Sequence, residues 1–71
     1  MSADNAIFIK QADWGTGYWH VWMGFLSSDN CREIPEEAEA AFKTEAEAAK
    51  FAFDWMNEEA IVEYGVIRLD D

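Results

Sequence analysis

Residues 17–25 read "GYWHVWMGF", with two tryptophans, a tyrosine and a phenylalanine in nine positions. Val21 and its neighbours favour a strand, and side chains on a strand point alternately to its two faces. Trp19, Val21, Met23 and Phe25 share one face, which is wholly apolar. Tyr18, His20, Trp22, Gly24 and Leu26 share the other, which is aromatic and amphipathic. A strand with one wet face would carry Lys, Glu or Thr there. The strand Tyr18–Leu26 is therefore apolar on both sides. Upstream, "AIFIK" (Ala6 to Lys10) reads as another strand, and "DWGTG" (Asp13 to Gly17) has the glycines of a tight connection. The first 26 residues predict a β-hairpin.

Beyond Pro35 the composition shifts abruptly to Ala and Glu, residues of high helix propensity. Thr44 followed by Glu47 has the spacing of a capping box, predicting a helix over about Thr44–Glu59. Ala48, Phe51, Ala52, Trp55 and Met56 recur at helical spacing and form its apolar stripe, with Phe53 widening it on one side. Glu47, Asp54 and Glu58 form a line on the opposite face. The stripe is expected to lie over Trp19, Val21, Met23 and Phe25, which places Trp19 and Phe25 in the core. Whether Pro35–Phe42 is a separate short helix or continuous with the main one is open at this level. "AIVEYGVIRL" (Ala60 to Leu69) reads as a last strand. The expected fold is α+β, ordered β-β-α-β. One domain over residues 1–71 has a three-stranded, mainly antiparallel sheet and one main amphipathic helix on one face, with or without a short helix before it.

One helix covers one face of a sheet, yet every predicted strand is apolar on both. Either the Pro35–Phe42 segment folds over the second face or another chain does. In the latter case Trp22, with Tyr18, His20 and Tyr64, would anchor a partner or a homodimer, because large exposed apolar patches and their Trp and Tyr residues mark interfaces.

At 71 residues the chain is near the lower limit for folding without staples, and its single cysteine, Cys31, excludes an intrachain disulfide. Stability must come from apolar packing. A lone thiol suits a reducing compartment. "MSADNAIFIK" has no basic segment ahead of a long apolar run, and no stretch reaches membrane-spanning length, so a soluble cytoplasmic protein is expected. His20 is the one histidine, and Cys31, in the polar "SSDNCRE", has no nucleophile signature around it. No metal-ligand spacing and no phosphate-binding loop occur. The residues thus predict neither an enzyme nor a cofactor.

Fifteen acids against five bases give a net charge of −10. Such a field repels nucleic acid and anionic membranes and steers the chain toward basic surfaces. Lys10, Arg32, Lys43, Lys50 and Arg68 are too dispersed to form a phosphate-binding patch. Between Glu33 and Glu63 ten acids accompany only Lys43 and Lys50. Glu36, Glu37, Glu39, Glu47, Asp54 and Glu58 are therefore the candidate contacts to a basic partner, although a solvated helix face is the commoner meaning of such a run.

The run "AFKTEAEAAKFAFDW" (Ala41 to Trp55) resembles the Phe-x-Thr-x-x-Glu-Ala junction of small strand-to-helix domains, among them the arm-type DNA-binding domain of phage integrases. It departs from those domains in charge, since they are basic. As a type, by size, charge and compactness, the whole chain is similar to the small acidic proteins that phages and mobile elements direct against host defences, such as anti-CRISPR proteins and DNA mimics. The resemblance implies a non-enzymatic inhibitor that occupies a basic, nucleic-acid-binding site on a larger protein. Two other readings accompany it: a homodimeric accessory module built on the aromatic sheet face, and a small-molecule binder with Tyr18, His20 and Trp22 lining its pocket.

Overall fold

The computed structural model describes residues 5–27, 32–58 and 64–69. Its elements are β1 (Asn5–Gln11), β2 (Trp19–Phe25), β3 (Ala40–Phe42), α1 (Glu45–Glu58) and β4 (Val66–Leu69). The architecture is α+β, with one helix and a four-stranded mixed sheet in the order β3-β2-β1-β4. This corrects the expected three-stranded, mainly antiparallel sheet. β1 and β2 form the antiparallel hairpin, from Asn5 opposite Phe25 to Gln11 opposite Trp19. Gly15 and Gly17 take positive φ in its connection, and the Ala12 N–H donates to the Tyr18 carbonyl at 2.9 Å, closing the turn.

The fourth strand is the short β3, which pairs antiparallel with Trp19–Val21. It occupies the end of the segment whose helical character was open. Ala40 and Ala41 favour a helix intrinsically, but edge pairing satisfies their backbone and sets Phe42 into the core beside Phe51, so tertiary contact overrides propensity. β3 also explains the parallel pairing of β4 with β1. A helix joining two strands of one sheet returns the chain to run in its starting direction, so β3-α1-β4 is a crossover unit. Gly65, at φ 72°, precedes β4, so among the described residues the last strand begins at Val66. Glu59 and the Ala60–Glu63 part of that expected strand lie outside the described residues, as does Cys31.

The core has two layers. Under α1, Ile7, Ile9 and Val21 meet Ala48 and Ala52, with Trp19, Phe42, Phe51, Trp55, Met56 and Val66 packed around them. The helix stripe read from the sequence is the stripe that packs, and its two fully buried alanines let the helix approach the sheet closely. On the second face Ala6, Phe8, Trp22 and Leu69 cluster, and Ile34 and Ala38 pack over them together with Ile67. The chain therefore covers its own second face with the irregular stretch leading into β3. That gives β1 its nearly continuous burial, since it has a strand on each side and a layer on each face.

Two core assignments are corrected. Phe25 is 57% exposed, and Phe53 is half-exposed on the flank of α1. β3 reaches only as far along β2 as Val21, so Met23 and Phe25 have no strand beside them on that edge among the described residues.

Candidate functional site

The acidic surface is built from two elements. On α1, Thr44 caps the N-terminus: the Glu47 N–H donates to Thr44 Oγ1 at 3.2 Å, and the Thr44 hydroxyl donates to Glu47 Oε1 at 3.1 Å. The cap fixes the helix phase, so Glu47, Asp54 and Glu58 fall in one line along α1, all exposed, with Glu47 and Asp54 on the flank toward β3. They span eleven residues, or about 16 Å of helix axis. Asp54 accepts a hydrogen bond from Lys50 Nζ at 3.0 Å across one turn. Glu36, Glu37 and Glu39 are exposed on the stretch that crosses the second face. These three are not helical, contrary to the expectation of a helix exterior, because Ile34 and Ala38 anchor that stretch to the sheet as irregular chain. The two acidic groups thus lie on opposite faces, with β3 at the sheet edge between them.

A shallow groove of about 290 Å³ opens where β3 meets α1. Phe42 and Phe51 line it, with Glu47, Lys50 and Asp54. The two rings lie 5.4 Å apart at 47°, and the Phe51 ring continues to Trp55 at 6.0 Å. The capping box and the helical period, both legible in the sequence, placed the acids. The groove was not legible, because it needs Phe42 on a strand.

The aromatic candidates do not form one patch. Trp22 is 6% exposed, stacked against Phe8 with ring centroids 5.7 Å apart and covered by Ile34 and Ala38. It is a core residue, which removes it as an exposed anchor. Tyr18 and His20 are half-buried at the hairpin end, where a cleft of about 230 Å³ is lined by Trp14, Tyr18 and His20 but not by Trp22. Tyr64 is 53% exposed. Its N–H donates to the Asn5 carbonyl, at the far end of β1 from the hairpin connection, about 20 Å away by strand rise.

Trp14, which sequence reasoning assigned only to turn chemistry, is 56% exposed with its ring 5.7 Å from that of His20. A wider recess of about 640 Å³ beside it is lined by Lys10, Trp14, Trp19 and Arg68 among others. Lys10 Nζ donates to the Arg32 carbonyl at 2.9 Å. Arg68 pairs with Glu45, and its guanidinium lies 5.2 Å from the centre of the Trp19 ring. Lys10 and Arg68 thus share the hairpin-end recess with Asp13.

Among the described residues no three His, Cys, Asp or Glu side chains are grouped to hold a metal ion, and no helix is long and apolar enough to cross a membrane. Comparison with protein-family models, curated proteins and solved structures gives no match.

Proposed function

We propose that this chain is a non-enzymatic binding protein that occupies a basic, nucleic-acid-binding site on a larger protein through its exposed carboxylates. One observation carries the reading: Glu36, Glu37, Glu39, Glu47, Asp54 and Glu58 are all exposed, while the apolar second face is closed by the chain itself. The placement of Glu58 supports a role beyond solubility. It stands in the last turn of α1, which has no basic residue, where the helix dipole disfavours a carboxylate and favours Lys or Arg. In its specific form the reading is a cytoplasmic inhibitor of the phage-encoded DNA-mimic or anti-CRISPR type, with charge steering association.

The test uses the chain as bait at low salt, followed by competition. A captured protein should bind a fluorescent duplex, and the chain should displace that duplex with a potency that falls steeply as salt rises. A variant carrying Lys at Glu36, Glu37, Asp54 and Glu58, shown to be folded by circular dichroism, should lose both capture and displacement. Equal displacement by that folded variant would refute the reading. Glu47 is left intact there because its reversal would also disturb the helix cap.

A further inference from the structure

The groove between β3 and α1 combines two features that a merely solvated acidic helix lacks: an aromatic floor and a cation already held at its rim. Phe42 and Phe51 provide the floor. Glu47 and Asp54 stand at i and i+7 on α1, above it. Between them Lys50 places its ammonium 3.0 Å from the Asp54 carboxylate, and both side chains are largely solvent-exposed. An exposed pair one helical turn apart is weakly held, so an incoming cation can replace it.

We infer that this groove receives an arginine side chain of the basic partner, its guanidinium stacked on the phenyl rings and paired with the Asp54 carboxylate in place of Lys50, with Glu47 adding negative charge at the rim. The inference rests on the proposed docking to a basic protein and names the contact within it. At about 290 Å³ the groove is at the bottom of the range for small-molecule sites, which suits one long side chain. Arginine fits better than lysine because its planar, weakly hydrated fork stacks on aromatic faces and pairs with carboxylates in two places at once. The chain holds a guanidinium of its own in the same way elsewhere: Arg68 lies over the Trp19 ring and pairs with Glu45. Lys50, a compact ammonium, satisfies Asp54 without using the rings as a flat guanidinium would.

The experiment titrates the full chain, followed by amide NMR, with capped hexa-arginine and hexa-lysine peptides of equal charge at low salt. Hexa-arginine should bind at least about five-fold more tightly, with shifts centred on Phe42, Glu47, Phe51 and Asp54. Lys50→Ala should strengthen hexa-arginine binding. Phe51→Leu should bring the two affinities together, and so should Glu47→Gln combined with Asp54→Asn, a surface change that keeps a capping side chain at position 47. Equal affinity of the two peptides for the unmodified chain overturns the arginine site while leaving the acidic docking reading standing. So do arginine-dependent shifts centred on Glu36–Glu39. Absence of binding by either peptide overturns both.

Discussion

Gly24 sits in β2 without the positive φ that explains the glycines of the hairpin turn, so its conformation alone does not call for glycine. Its surroundings do. A Cβ there would lie 3.2 Å from the Phe8 ring and 3.6 Å from Trp22 Nε1, and Phe8 is fully buried. Gly24→Ala must push the Phe8 ring against a filled layer, and overpacking of that kind costs about 1–3 kcal/mol. Urea denaturation should show the lower midpoint with an unchanged slope. The neighbouring tryptophan makes the same layer measurable. Trp22→Ala removes a large buried side chain and should cost about 3–5 kcal/mol, a large share of the stability of a small domain. Trp14→Ala, at an exposed ring, should stay within about 0.5 kcal/mol. Thermal melts of the two variants compare these positions directly; similar losses at both would contradict the burial of Trp22.

Among the elements, α1 divides its two faces between stability and charge. The inward alanines and aromatics pack on the sheet, while among the outward acids Glu47 helps to hold the helix through the Thr44 cap. Glu58 works against it, so Glu58→Lys should raise stability by about 0.3–1 kcal/mol at low ionic strength, the size of a favourable charge at a helix end. Chemical denaturation at low and high salt checks this, since screening should erase most of the gain. The same change should weaken capture of a basic partner. Stabilisation without loss of binding would place the contact elsewhere on the surface. β3 is the element on which the rest of the topology depends, although it has only three residues. It closes the outer edge of β2 over Trp19–Val21 and turns the helical segment into a crossover between parallel strands.

For the molecule as a whole, self-coverage of the second face predicts the association state. Two copies would bring together a net charge of −20, from −10 on each chain, and Trp22 is not on the surface to compensate. Light scattering on a size-exclusion column should therefore give a monomer at low salt and at high salt. A dimer that appears only at high salt would point to the exposed Met23 and Phe25 at the end of β2. A dimer at both salts would show that the face closed by Ile34 and Ala38 opens to admit a second chain.

The local features followed from local physics, and the sequence was enough to determine them. The alternation in residues 17–25, the glycines of the turn, the Thr44–Glu47 cap and the period of the helix stripe each depend on residues a few positions apart. They correctly implied a hairpin, a two-sided helix and a sheet apolar on both faces, and they placed Glu47, Asp54 and Glu58 outward. What covers the second face was decided by contacts between distant parts of the chain. Ile34 and Ala38 look unremarkable in a run of glutamates, and they become a core layer only because β3 docks beside β2 and draws the stretch before it across Trp22. The position of β3 itself is a tertiary outcome, since Ala40 and Ala41 favour a helix until edge hydrogen bonds and the Phe42–Phe51 contact outweigh that preference. Phe25 went the other way: its pattern placed it inward, and the short reach of β3 left it exposed. Propensity and periodicity act within a turn or two of chain, whereas burial depends on which distant segments arrive, and that assigned Trp22 to the core and left the carboxylates on the surface.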